Sequence, residues 1–167
     1  MLTTFLKSIS YILHPLLMPW LGAVYYFSVT PIQYSAGNIR FWLVSIIFWS
    51  VVLPLLLYYF LKRMNVVHTI HLKTSRERVW PLLLNSIIIG TLSFRILPKS
   101  INAELHYLFL GIMLTALIGL ILAFLKFKTS IHMMSTGGAF FFMVLIDIHY
   151  GLSYISTFAL FIIIMGA

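Results

Sequence analysis

Side chains able to handle a phosphate ester occur in two short polar stretches of an otherwise apolar chain. The first runs His68-Thr-Ile-His-Leu-Lys73-Thr-Ser-Arg76-Glu-Arg78-Val-Trp-Pro81. The second runs Lys126-Phe-Lys128-Thr-Ser130-Ile-His132-Met-Met-Ser-Thr-Gly137-Gly138. Arg76 and Arg78 offer planar forks of N–H donors that match phosphate oxygens, and Lys73 adds a point charge. Ser130 and the backbone N–H groups of a helix start can also receive an anion. His132 titrates near neutral pH and can serve as general acid or base. Together they describe an anion pocket with a proton donor, and at a bilayer surface its natural ligand is the phosphate of a lipid. Each part also has a plainer reading. A basic loop beside an apolar span is commonly a topology signal or headgroup contact. A histidine at a helix end is commonly structural, and Gly137-Gly138 can be a helix-packing contact.

The elements that must position these residues are apolar helices. Hydrophobic residues make up 62 % of the chain and charged ones 8 %, against about 25 % charged in a soluble domain. A soluble protein of this size cannot hide that much apolar surface. A helix needs about 20 apolar residues to cross a bilayer core. The runs Ile9–Val29, Phe41–Leu61, Trp80–Leu97 and Leu105–Leu125 meet or approach that length. The apolar stretch after Met133, interrupted by Asp147, His149 and Gly151, reads as two shorter helices, Met133–Ile148 and Leu152–Ala167, with a turn between them. The fold class expected is therefore all-α: one polytopic integral membrane domain over 1–167 with about six transmembrane helices. Continuous runs without alternation argue against a strand-built barrel.

The N-terminal run is too long for a signal peptide and has no small-residue cleavage pattern, so it reads as a retained first helix. Pro15, Pro19 and Pro54 lie inside spans and should kink them. Trp20, Trp42 and Trp80 sit near span ends, at headgroup level, whereas Trp49 is placed to pack between helices. The last run ends within apolar sequence, and the expectation is a chain cut short at its C-terminus.

Two spans separate the polar stretches, so both emerge on one membrane face. With six spans that face carries Lys7, Lys62, Arg63, Lys73, Arg76, Arg78, Lys126 and Lys128, while Arg40, Arg95 and Lys99 lie opposite. The positive-inside rule would make the richer side cytoplasmic, unless those residues serve a ligand. The net charge of +8 points to anionic headgroups or a phosphate-bearing ligand and not to nucleic acid. The chain has no cysteine, which excludes disulfides, thiolate metal sites and cysteine nucleophiles. His68 and His71 share a helix face but have no third metal ligand nearby, and no cofactor is expected. Glu104 and His106 start a span and read as interfacial; Asp147 and His149 read as turn residues. A transporter would show polar residues along its spans or a repeated half, and neither is evident.

Arg76-Glu-Arg78-Val-Trp-Pro81 and Ser130-Ile-His132, with their two-span separation, resemble the first two motifs of the type 2 phosphatidic acid phosphatase superfamily. In that family Lys, six intervening residues and then Arg-Pro form the first motif, and Pro-Ser-Gly-His the second. Here His71 stands where the family has Lys, and Val79 follows Arg78 in place of Pro. Thr129 and Ile131 replace the Pro and Gly of the second motif. The third motif, Ser-Arg, five residues, His, three residues, Asp, does not occur in this sequence; it would follow another helical hairpin. The resemblance implies a metal-independent membrane phosphatase acting on a lipid phosphate or isoprenoid diphosphate through a phosphohistidine. Arg78, helped by Arg76 or Lys73, would bind the phosphate, Ser130 would donate to the same oxygens, and His132 would protonate the leaving alkoxide. The nucleophilic histidine belongs to the third motif and maps onto no residue here. The alternative is a non-catalytic relative of the same fold that binds anionic lipid or a protein partner. Short loops suggest a bacterial inner membrane.

Overall fold

The computed structural model describes residues 16–64, 75–127 and 129–152, with the side chains of 75–77 left aside. Among these residues the chain is helical and contains no strand. The elements are α1 (Met18–Val29), α2 (Ala36–Arg63), α3 (Ser75–Thr91, continued by Leu92–Ile96), α4 (Ala103–Phe124) and α5 (Ile131–Tyr150). Four segments are long and apolar enough to cross a membrane: Ala36–Arg63, Arg78–Ile96, Ala103–Phe124 and Ile131–Tyr150. Six spans are thus not established. The described part of the first run is a helix of 12 residues, and Leu152–Ala167 lies outside the described residues beyond Leu152.

Local chemistry sets the helix ends. Ser35 and Ser130 cap α2 and α5, their hydroxyls accepting from the N–H of Asn38 and Met133 at 3.2 and 3.3 Å, which satisfies donors a first turn would otherwise waste. α4 and α5 both end in a Schellman arrangement. Phe127 N–H donates to Leu122 O at 2.8 Å and Leu152 N–H to Asp147 O at 2.9 Å. Each needs one left-handed residue: Gly151 (φ 64) after α5 and Lys126 (φ 62) after α4. The turn expected around Asp147 and His149 therefore falls at Gly151. Both residues lie inside α5, because only glycine at 151 takes the left-handed bend without steric cost.

Two helices widen locally to π geometry, at Phe48–Val52 and at Leu92–Ile96. In α2 the cause is Pro54. It has no N–H to offer the carbonyl four residues back, and the wider turn makes room for its ring. Leu53 N–H bonds instead to Phe48 O.

Packing is closest between α3 and α4, while α1 lies against α5 and α2. The main core gathers Tyr26, Trp42, Ile46, Leu92, Phe109 and Phe142 from all five helices; a smaller one joins Leu82 to Ala116 and Leu120. Trp42 is buried and stacks on Phe27 with ring centres 5.8 Å apart, so it belongs to the core and not to an interfacial belt. In each apolar segment at most 33 % of the most hydropathic window is buried. Phe41, Phe60, Ile121, Phe141 and Ile148 point outward. Such an exterior suits acyl chains, not water.

Two outcomes are expected. The protein has no native cysteine, so Ser100→Cys and Phe127→Cys, at opposite ends of α4, should react with an impermeant thiol reagent from opposite sides of sealed vesicles. Lys126→Gly should raise thermal stability by about 1 kcal/mol, because glycine relieves the left-handed strain.

Candidate functional site

The end of the bundle where α3 and α5 begin carries the residues singled out from the sequence. Arg78, in the first turns of α3, is buried at 7 % exposure. Its Nη1 donates to the backbone carbonyl of Thr129, the residue before the cap of α5. This contact bridges 51 positions and brings the two polar stretches together. Ser130 is exposed, and its hydroxyl is engaged as the cap of α5. His132 is half-buried in the first turn of the same helix, and its carbonyl accepts from Thr136 Oγ1 at 2.7 Å. Arg76 belongs to the first turn of α3 by its backbone; Lys73 lies outside the described residues. The Arg78 guanidinium thus reaches from α3 to the segment that leads into the N-terminus of α5. Helix N-termini carry partial positive charge, so an anion would lower the energy of this arrangement.

The opposite end holds a polar cluster that sequence inspection missed. Glu104, in the first turn of α4, is half-buried and accepts two phenol hydrogen bonds. Tyr26 Oη of α1 donates to Oε2 at 3.2 Å and Tyr150 Oη of α5 to Oε1 at 3.1 Å. Tyr34 Oη stands 3.2 Å from Tyr26 Oη, and Thr30 Oγ1 stands 3.3 Å from Tyr150 Oη. Glu104 therefore binds three helices together and is not merely interfacial. Tyr26 and Thr30 share a helix face by their spacing, the one sequence signal available. Nothing in the sequence connects them to Tyr150.

His106 also departs from the interfacial reading. It is buried, and its Nδ1 lies 3.0 Å from Ser93 O and 3.1 Å from Leu97 O. Two carbonyl acceptors at one nitrogen put the ring proton there. Ser93, turned inward by the π turn of α3, donates its hydroxyl to His106 O at 3.2 Å. This histidine ties α3 to α4.

Between these two ends the described residues line a cavity of about 680 Å³. It runs beside α4 and α5, from Ile131 and Ser135 at one end to Glu104 and His149 at the other. Its walls are chiefly apolar. No cluster of three metal-binding side chains occurs among the described residues.

No family model, curated protein or solved structure matches this chain.

Tyr150→Phe should destabilise the protein by about 1–3 kcal/mol, since it strips one donor from a half-buried carboxylate. Tyr26→Phe should do the same, and the double variant should depart from additivity because both act on one group. Thermal unfolding of the three variants checks this.

Proposed function

We propose that the chain is an integral membrane protein that recognises a lipid phosphate or isoprenoid diphosphate where α3 and α5 begin, and hydrolyses it as the phosphatases resembled by its motifs do. The single observation supporting this reading is the Arg78–Thr129 contact. It holds a buried guanidinium beside Ser130 and the first turn of α5, as an anion pocket requires. The phosphate would meet Arg78, with Arg76 and Lys73 adding charge, and the N–H groups of the α5 start. Preorganised positive groups of this kind stabilise charge that develops on phosphoryl oxygens. His132, one turn into the helix, would protonate the leaving alkoxide. The family's nucleophilic histidine belongs to a third motif that maps onto no residue of this sequence.

One observation favours the second reading, a non-catalytic relative that binds anionic lipid or a partner. Ser130 Oγ accepts from Met133 N–H through a lone pair, so the helix cap alone accounts for a serine here, while its O–H stays free to donate.

The decisive measurement is phosphate release from lipid phosphates and isoprenoid diphosphates, by the full-length gene product in detergent without added metal. Turnover that falls about 10²-fold or more in His132→Ala supports acid catalysis there. Arg78→Ala should lose both turnover and lipid-phosphate binding. Lipid-phosphate binding without turnover from a chain carrying a third motif would favour the non-catalytic relative. Ser130→Asp separates the two tasks of that residue. It keeps the cap, which is worth about 1 kcal/mol, but places negative charge where the phosphate would bind.

A further inference from the structure

A carboxylate at one end of a large apolar cavity requires explanation. Glu104 lines that end, and both of its oxygens are occupied by phenol donors, Tyr26 and Tyr150. No ion pair with a described Lys, Arg or His accompanies these bonds. The phenols orient the carboxylate but carry no positive charge, which leaves the partial charge of the α4 N-terminus to balance it in part. Tyr107 lines the same end. From outside, Lys99 Nζ stands 5.3 Å from the centre of its ring, so this ring already attracts a cation. A tyrosine face beside a carboxylate is the environment that holds an organic ammonium.

Behind Glu104 the walls are apolar, formed by Leu108, Ile112, Phe142 and Ile146. At about 680 Å³ the cavity lies within the range of about 300–1,000 Å³ typical of sites for small molecules. A further observation points to an occupant. Ser50, in the π turn of α2, is 3 % exposed and lines the cavity, yet its Oγ has no hydrogen-bond partner among the described residues. A buried hydroxyl is seldom left unbonded, because that costs its desolvation energy. Here a ligand body with an oxygen acceptor would satisfy it.

We propose that this cavity binds an amphiphilic organic cation, with its ammonium between Glu104 and Tyr107, its largely apolar body along Leu108, Ile112 and Phe142, and an oxygen acceptor towards Ser50. The site stands at the opposite end of the bundle from Arg78 and His132 and does not depend on the phosphatase reading. The same ammonium chemistry is available from a free long-chain amine or from the headgroup of an aminolipid.

The glycines of the cavity wall provide the test. Gly138 lines the cavity, and a Cβ added there would meet no atom within 4 Å. Gly138→Leu should therefore fill the space without disturbing the fold. Gly137 has the same freedom but is not part of the cavity wall, so Gly137→Leu is a matched control. Binding of dodecyltrimethylammonium to the full chain in phosphatidylglycerol nanodiscs would be compared with binding of uncharged dodecanol. Saturable binding of the cation is expected, at least about tenfold tighter than the alcohol. Gly138→Leu and Glu104→Gln should each weaken it by a similar factor, and Gly137→Leu should leave it unchanged. Adding phosphatidylethanolamine to the nanodiscs should displace the probe if the headgroup is the natural source, and should not if a free amine is. Equal binding of dodecanol, or full affinity in Gly138→Leu, would overturn the proposal. Should Glu104→Gln fail to fold, the cation–alcohol comparison and the glycine pair still decide.

Discussion

In lipid, apolar packing between helices gains little over contact with acyl chains, so the polar contacts between helices have to specify their arrangement. Glu104 makes the most connected of these. Its oxygens accept from Tyr26 of α1 and Tyr150 of α5 while its backbone begins α4. The core of Tyr26, Phe109, Phe142 and Ile146 closes beneath that junction. Carboxylates are costly inside apolar surroundings unless bonded, so this group holds its three helices in one register.

A second tie of the same kind operates at the other end. The Arg78 guanidinium on the Thr129 carbonyl joins the start of α3 to the start of α5, and with it the two polar stretches that the proposed phosphate site needs. At the Glu104 end, His106 also fastens α4 to the π turn of α3 through Ser93. The other π turn delivers Ser50 to the cavity wall. Both departures from regular helix thus turn a small hydroxyl inward, which fits the frequent occurrence of π turns at functional positions. The polar contacts differ between the ends: the Arg78 guanidinium meets a carbonyl at one, and a carboxylate meets phenols at the other.

Composition and run length made the helical class legible. They also placed three of the four segments of spanning length, Phe41–Leu61, Trp80–Leu97 and Leu105–Leu125, to within about five residues, since an apolar run bounded by Ser, Gly, Lys or Pro has few alternatives. The expected helix Met133–Ile148 is observed as Ile131–Tyr150. Its two extra residues at each end follow from the Ser130 cap and the Gly151 bend, both visible as residue types. Parity likewise put Arg78 and Ser130 at one end of the bundle. The role of Glu104 was hidden because it depends on partners far along the chain, and that of His106 because its partners lie on the neighbouring helix and the turn after it. Tyr26 lies 78 positions from Glu104, and a lone glutamate at a helix start reads equally well as a solvated one.

The sequence by itself determined that this chain forms apolar helices with two polar stretches on a shared face, because hydropathy and helix capping act over a few residues. Only the tertiary structure decided which polar groups meet: Arg78 with Thr129, Glu104 with Tyr26 and Tyr150, His106 with Ser93. It alone showed the cavity and the unbonded hydroxyl of Ser50 beside it. Pairing between helices is set by distance and angle across the bundle, and neither is encoded in the spacing of residues along one helix.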